Sequence, residues 1–217
     1  MVVNFEKENS LLNGFIAEMR DKDIQKDSMR FRKNLCRVGQ IMAYEISKTF
    51  TYSQQEVITT LGSTEVSLPE NKVVIAVLLR SGLAMHQGLL DFFDAGQNAF
   101  VSIYRKFEKS EKSKVRVKYI SCPDLNGKTL ILADPMLATG ISAVHAWNEL
   151  QTYGKPEHTH FAVILASQEG VVHLKRSIPQ EHFTLWVGAI DDELTAQAYI
   201  VPGLGDAGDL AYGSKEE

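Results

Sequence analysis

Three short, uninterrupted apolar runs after residue 72 constrain the fold of this chain most. They are Val73–Leu79, Thr129–Ala133 and residues 161–166, and each contains β-branched residues. Runs of this kind are typical of strands that are buried on both faces of a parallel sheet. Helix-like segments separate them, and strand, helix, strand is the order of βαβ units. We therefore predict an α/β fold with a mainly parallel sheet flanked by helices.

The rest of the apolar pattern predicts the helices and strands that surround these runs. The helices between the buried strands are predicted over residues 82–93, 142–153 and 168–176. Residues 99–104 are expected to form a further strand. Residues 115–120 alternate between apolar and charged side chains, which predicts a more exposed strand.

Two helices are expected near the N-terminus. Ser28 is the expected N-cap of the second, because apolar residues recur after it at spacings of three and four. These residues are Leu35, Val38, Met42 and Ile46. Residues 49–71 are mixed in character and contain many Thr, Ser and Gly residues, which favours a loop or a hairpin.

Composition excludes several classes of protein. The 217 residues are 44% hydrophobic and 23% charged, which is ordinary for a globular chain and excludes disorder over most of its length. The net charge of −4 argues against a dedicated nucleic-acid binder. Two cysteines, Cys36 and Cys122, cannot form a disulfide framework. With no targeting segment and no apolar run near the ~20 residues that cross a bilayer, we expect a cytoplasmic protein without membrane contact.

The segment from Asp134 to Ser142 has the features of an anion site. A buried strand ends at Asp134, and Thr139-Gly140-Ile141-Ser142 then opens a helix. The first N–H groups of a helix lack intrahelical partners, and the macrodipole adds about half a positive charge there. Open α/β sheets bind their ligands at the carboxyl ends of strands. We therefore predict an anion-binding loop, with an ordinary capped helix as the alternative.

A second glycine-rich segment, residues 199–209, reads YIVPGLGDAGD. Residues 203–208 match GxGxxG formally, but the strand and acidic residue that a dinucleotide fingerprint needs afterwards do not follow. The segment is therefore a ligand loop or a plain turn. Its exposed main-chain N–H and C=O groups could recognise a small planar ring. The Val201-Pro202 bond in the same segment is a candidate cis peptide.

Taken together, these segments resemble the signature of the uracil phosphoribosyltransferase family, a branch of the type I phosphoribosyltransferases. The resemblance covers nearly the whole chain, in the family's order and spacing. It rests on residues 79–83 (LRSGL), 134–142 (DPMLATGIS), 199–209, 19–21 (MRD) and 30–32 (RFR).

The resemblance implies a single type I phosphoribosyltransferase domain over residues 1–217. An N-terminal helical segment that oligomerises (1–71) precedes the core (72–169) and a C-terminal hood with the base-binding loop (170–217). It implies an enzyme, a pentosyltransferase that converts uracil and 5-phospho-α-D-ribose 1-diphosphate (PRPP) to UMP and diphosphate. A non-catalytic regulator that binds uracil or UMP is the alternative.

The same resemblance implies Mg²⁺ as the cofactor, bound through substrate oxygens and without a metal site of protein ligands. It further implies a homodimer or higher oligomer, with GTP as an activator in some members. The catalytic residues implied are Arg80, Asp134 and Asp206.

The implied ligand contacts fall into two sets. The PRPP site comprises Arg80, Ser81, Gly82, Arg105, Asp134, Pro135, Met136, Leu137, Ala138, Thr139, Gly140, Ile141, Ser142 and Asp206. The uracil site comprises Ile200, Gly205, Asp206 and Ala207. The charged segment 105–114 is expected to be a flap over the diphosphate, with a solvated hairpin tip as the alternative. Ile141, Ser81 and Ala84 depart from the family's usual residues, and Ile141 replaces a glycine of its phosphate loop.

Overall fold

The computed structural model describes residues 1–106 and 114–215, and for residues 104–106 and 114–118 it describes the backbone alone. The strands are β1 (Val2–Asn4), β2 (Tyr52–Ile58), β3 (Ser63–Pro69), β4 (Val73–Leu79), β5 (Gln97–Lys106), β6 (Lys114–Ser121), β7 (Thr129–Ala133), β8 (Met136–Leu137), β9 (His158–Ser167), β10 (Phe183–Asp191), β11 (Glu193–Leu194) and β12 (Ile200–Val201). The helices are α1 (Leu11–Arg20), α2 (Ser28–Ser47), α3 (Leu83–Leu90), α4 (Ile141–Leu150), α5 (Gln168–Ser177) and α6 (Ala207–Tyr212).

Within the described residues, one eight-stranded sheet forms the centre of the molecule. Its order is β1-β10-β9-β7-β4-β5-β6, and the short strand β8 pairs with β9. Every pairing is parallel except that of β5 with β6. The prediction of an α/β fold with a mainly parallel sheet is therefore confirmed.

Helices cover both faces of this sheet. Helices α1, α2, α3 and α6 contribute to one buried cluster, which includes Ile75 of β4, while α4 and α5 contribute to the other, which includes Val74. Successive side chains of a strand point to opposite faces, so β4 must be apolar at every position. This explains the uninterrupted runs that identified the central strands.

Several predicted boundaries are wrong. The helices predicted over residues 82–93 and 142–153 end at Leu90 and Leu150. The N-cap of α2 is Asp27 and not Ser28, because the Asp27 carboxylate accepts the N–H groups of Met29 and Arg30 at 3.0 and 3.1 Å. The strand predicted over residues 161–166 begins at His158, because pairing with β7 and β10 on either side extends it.

Three strands of the sheet, β1, β8 and β10, were not predicted. β10 lies between β9 and β1, and β1 pairs with β10 through only three residues. Both lie outside residues 72–169, so the sheet also draws on the N- and C-terminal parts of the chain.

The β2–β3 hairpin extends away from the sheet. It occupies most of the segment 49–71, for which a loop or hairpin was predicted, and its strands are antiparallel. Most of its residues are exposed, and Leu61 in its turn is 99% exposed. No helix in the described part of the chain is both long and apolar enough to span a membrane.

Helices α2 and α3 meet at backbone distance. A Cβ atom on Gly39 would lie 2.4 Å from the Met85 carbonyl oxygen, and one on Gly88 would lie 2.0 Å from that of Cys36. Neither site can therefore hold a larger residue without a shift of the helices. Because α3 begins directly after residues 80–82, this contact with α2 also fixes the end of the loop that follows β4.

Candidate active site

A cleft opens where β4 and β7 end. The two strands are parallel neighbours, with Val77 opposite Ala133, so the loops that follow them lie side by side. The chain continues from β4 into α3 on one face of the sheet and from β7 into α4 on the other. Where two neighbouring parallel strands continue to opposite faces of a sheet, a crevice forms between the loops that follow them. Here it holds a cavity of about 260 Å³.

Residues from all three predicted ligand segments line this cavity. The predicted residues among them are Arg80, Ser81, Asp134, Met136, Ala138, Ser142, Ile200, Gly205, Asp206 and Ala207. Further lining residues, to which no role was assigned, are Leu78, Leu79, Ile103, Tyr199, Gly208 and Lys215. The sequence therefore predicted most of the residues that line the cavity, but not the cation Lys215.

The other predicted residues lie beside the cavity or outside the described side chains. Gly82, Pro135 and Leu137 are buried in the loops behind the lining, and Thr139, Gly140 and Ile141 stand at the start of α4. Arg105 lies in β5, but its side chain is outside the described residues. So is the part of the predicted flap from residue 107 to 113.

The loop after β4 directs Arg80 across the cleft. The Leu79–Arg80 peptide is cis. The Arg80 guanidinium donates from Nη2 to Asp209 Oδ1 at 2.9 Å and from Nη1 to the Gly213 carbonyl oxygen at 3.0 Å. The Ser81 hydroxyl approaches Asp134 Oδ1 at 3.5 Å. The loops after β4 and β7 and the C-terminal residues therefore meet around Arg80.

The loop after β7 is held by the backbone of the sheet. The Asp134 N–H donates to the Ala162 carbonyl oxygen at 3.1 Å, and Asp134 Oδ1 accepts the Met136 N–H at 3.4 Å. Strand β8 then pairs with β9, and the Ser167 hydroxyl donates to the Ala138 carbonyl oxygen at 2.5 Å. Strand β9 and the start of α5 thus support the loop from behind.

Gly140 begins α4 in a conformation that favours glycine. Its φ is 75°, and an added Cβ would lie 2.9 Å from the Gly170 carbonyl oxygen. The Ile141 N–H donates to Thr139 Oγ1 at 3.5 Å. The Ile141 side chain is 37% exposed and is not part of the cavity lining.

The loop after β12 depends on an ion pair from distant parts of the chain. Arg20 donates to both carboxylate oxygens of Asp191, at 2.7 and 2.8 Å, and to the Gly203 carbonyl oxygen at 3.2 Å. Asp191 Oδ2 also accepts the Gly203 N–H at 3.0 Å. The Val201–Pro202 peptide directly before is cis, as the sequence suggested. No role was predicted for Asp191, and residue spacing carries no signal for it.

Asp206 caps the short helix that follows this loop. Its Oδ1 accepts the Asp209 N–H at 2.9 Å, and Asp209 in turn binds Arg80. A Cβ on Gly208 would lie 3.7 Å from Arg80 Nη2, which shows how closely this turn approaches the loop after β4.

The histidines of the sheet do not belong to the cleft. His160 is buried and accepts the Trp186 indole N–H at 3.0 Å on Nδ1. Burial, together with a smaller contribution from the nearby His158, lowers the pKa of His160 to about 3. Both histidines lie in β9. Among the described residues, no three His, Cys, Asp or Glu side chains could together hold a metal ion.

Comparison with known proteins identifies the family. The family model for uracil phosphoribosyltransferase matches residues 6–214. A uracil phosphoribosyltransferase from Porphyromonas gingivalis is 50% identical over 214 residues, which cover 99% of each chain. One from Pyrococcus furiosus is 37% identical and covers 98% of this chain and 90% of its own.

Solved structures agree with this assignment. A protein from Aquifex aeolicus superimposes with a TM-score of 0.86 at 27% identity, over 98% of both chains. A hypoxanthine phosphoribosyltransferase from Staphylococcus aureus shares the fold, with a TM-score of 0.50 at 13% identity over 75% of this chain and 76% of its own. The fold is therefore that of the type I phosphoribosyltransferases, and the chain belongs to the uracil phosphoribosyltransferase family.

Proposed function

We propose that the protein transfers the 5-phosphoribosyl group of PRPP to uracil, which gives UMP and diphosphate. The observation that carries this proposal is the meeting of three loops in one cleft. Arg80, Asp134 and Asp206 come from three separate segments and line the same cavity. The curated relatives are named for this activity and are similar over nearly the full chain.

Each loop suits one part of the two substrates. The start of α4 offers N–H groups and a helix dipole to the 5-phosphate, and Asp134 lies where it can bind the ribose hydroxyls. Arg80 faces the diphosphate. Its two observed hydrogen bonds leave three of the five guanidinium N–H donors for the ligand. Ile200, Gly205 and Ala207 can present main-chain groups to uracil, and Asp206 lies between the base and the ribose.

The reaction requires charge stabilisation and positioning. The C1–O bond breaks with its electron pair remaining on the diphosphate oxygen, and N1 of uracil bonds to C1. The N1 proton passes to water or to the diphosphate. Arg80 stabilises the negative charge that develops on the leaving group, and the base loop holds N1 close to C1. No His or Glu lies among the described lining residues, and we assign no general base.

The residues of the cleft fit Mg²⁺ as a partner of the substrate. Asp134 and Asp206 are the described carboxylates that line the cavity, and they could hold water ligands of the ion. Mg²⁺ keeps several waters and is bound through substrate oxygens in such sites. When bound, it would neutralise charge on the diphosphate.

Arg105 and the segment after it belong to the same proposal. The strand β5 carries Ile103 into the cavity lining and Arg105 follows two residues later. A second cation at Arg105 and a flap over residues 105–114 remain predictions that rest on the family resemblance.

We further propose that the protein is a cytoplasmic homodimer or higher oligomer. Both cysteines are free thiols, which suits a reducing compartment. Ile58 and Leu61 on the β2–β3 hairpin are 84% and 99% exposed, and an isolated two-stranded hairpin is only marginally stable in water. Residues 1–71 therefore carry apolar surface suited to a subunit interface. Light scattering with and without GTP would measure the mass of the assembly and any response to that nucleotide.

The direct test mixes the purified protein with labelled uracil, PRPP and Mg²⁺. Formation of UMP and diphosphate supports the enzyme. If uracil or UMP binds but no UMP forms at any GTP concentration, the protein is the non-catalytic regulator instead. Cytosine, hypoxanthine and orotate assayed in parallel identify the preferred base.

Arg80→Ala is the sharpest variant for the catalytic proposal. Loss of one electrostatic donor to a developing charge costs about 10²–10³ in kcat. We expect that loss in steady-state assays with both substrates saturating. A rate within a few-fold of the unaltered protein would remove Arg80 from the mechanism.

A further inference from the structure

The residues after α6 return to the cleft and line it. Gly213 follows the helix with φ 85°, and its carbonyl oxygen accepts a hydrogen bond from Arg80 Nη1 at 3.0 Å. Two residues later Lys215 joins Arg80, Ser81 and Asp134 in the cavity lining. The contact between Arg80 and Gly213 therefore places a second positive charge beside the first.

Lys215 and Arg80 differ in how far their charge is already neutralised. Arg80 forms an ion pair with Asp209 at 2.9 Å. Within the described residues, Lys215 makes no hydrogen bond or ion pair, and its residue is exposed. Lys215 is thus the described lining cation whose charge is not paired with a carboxylate.

The balance of charge in the cleft makes this difference matter. Among the described residues that line the cavity, Arg80 and Lys215 are the cations, and the charge of Arg80 is already paired with Asp209. Without Lys215, the described lining would offer only this paired cation to a diphosphate that carries several negative charges. An ammonium on a flexible stem can supply up to three donors to such an anion.

We propose that Lys215 binds the diphosphate group of PRPP and of the product. This inference rests on the proposed function and adds a residue to it. Lys215 Nζ donates to diphosphate oxygens, so it stabilises the bound substrate and the leaving group after the C1–O bond breaks. Arg80 and Gly213 hold the C-terminal segment in the position from which Lys215 reaches the anion.

The test compares Lys215→Gln, Lys215→Arg and Lys215→Glu with the unaltered protein. Diphosphate binding is measured by titration calorimetry in Mg²⁺, so the readout does not depend on turnover. We expect Lys215→Gln to weaken diphosphate binding and to raise KM for PRPP by about tenfold, the scale of one charge-assisted hydrogen bond. Lys215→Arg should retain most of the affinity, and Lys215→Glu should lose more than Lys215→Gln. KM for uracil should change less than twofold.

Lys155→Gln is the matched control. Lys155 is exposed in the loop before β9, at the opposite end of the sheet from the cleft, so its loss changes the net charge alone. Thermal unfolding of every variant verifies that the fold is retained. If Lys215→Gln binds diphosphate with less than a threefold loss, or no more weakly than Lys155→Gln, Lys215 does not contact the anion. If the unaltered protein binds diphosphate but forms no UMP, the proposed function fails while the role of Lys215 is still decided by binding.

Discussion

The phosphate loop, residues 134–142, and the base loop, residues 199–209, are built in different ways. The phosphate loop continues directly from β7 into α4, and pairing of β8 with β9 supports it. The base loop contains β12, which pairs with β11 outside the central sheet. It is tied to the rest of the molecule by the ion pair of Arg20 with Asp191.

This difference predicts different weaknesses. A loop held by backbone pairing is sensitive to changes in backbone geometry, whereas a loop held by a buried ion pair is sensitive to loss of a single charge. Substitutions in the two loops should therefore affect different substrates.

Asp191→Ala should have the largest effect. Removing one partner of a buried ion pair leaves an uncompensated charge and costs about 3–5 kcal/mol. Asp191 is 8% exposed and also accepts the Gly203 N–H, so the base loop should lose its anchor. We expect the free energy of unfolding in urea to fall by that amount and KM for uracil to rise more than KM for PRPP.

Asp192→Ala provides the control for that variant. Asp192 is the exposed neighbour in sequence, and its loss should change stability by less than about 0.5 kcal/mol. Equal behaviour of the two variants would contradict the anchoring role of Asp191.

Gly140→Ala should act on the phosphate loop instead. The left-handed conformation costs an L-residue about 1–2 kcal/mol, and the Gly170 carbonyl oxygen would lie 2.9 Å from the new Cβ. We expect a loss of about 2 kcal/mol in unfolding free energy and a rise in KM for PRPP with KM for uracil nearly unchanged. Gly14→Ala in α1, where a Cβ meets open space, should instead stabilise by about 0.5–1 kcal/mol.

Lowering the pH should destabilise the whole fold, and therefore both loops equally. Burial lowers the pKa of His160 from its usual 6.5 to about 3, so the unfolded chain binds the extra proton between these values. Stability from this group is complete above pH 6.5 and falls as the pH drops towards 3. We expect a loss on the order of 1–2 kcal/mol in unfolding free energy between pH 7 and pH 5.

The variant His160→Gln separates this effect from other titrations. Its side-chain oxygen can still accept from Trp186 but does not titrate in this range. The slope of stability against pH should decrease without vanishing, because burial also lowers the pKa of His158 and His86. An unchanged slope would show that His160 does not carry the effect.

Ile141→Gly should have the smallest effect. It restores the glycine that the family usually has at this place in the phosphate loop, but the Ile141 side chain does not line the cavity. We expect KM for PRPP to change by less than threefold in steady-state assays. A larger change would mean that the side chain limits the conformations of the phosphate loop.

The fold was largely predictable because its central strands are covered on both faces. The boundaries of β4 and β7 agree with the apolar runs that predicted them. Strand β1 is too short for a pattern to emerge, and its place in the sheet depends on pairing with β10, far along the chain. The N-cap of α2 was not predictable, because Asp27 and Ser28 are adjacent polar residues and either side chain could accept the first N–H groups of the helix.

The residues of the cleft were predictable where they form a continuous motif in the sequence. Asp134 and the start of α4 form a local motif, and so does the base loop. Arg20, Asp191 and Lys215 were missed as partners, since only the folded chain brings them to the loops. The assigned roles of the predicted site residues still await the measurements proposed above.

The contact of Gly39 with α3 has a consequence for redesign of the enzyme. Because α2 sits against α3 with no side chain between them at Gly39 and Gly88, the N-terminal helix sets the position of Arg80 from a distance. In a saturation mutagenesis library, substitutions of either glycine should therefore reduce activity, although neither glycine lines the cleft. Exchange of loops between relatives, to alter the accepted base, would need to transfer α2 with α3 as one unit.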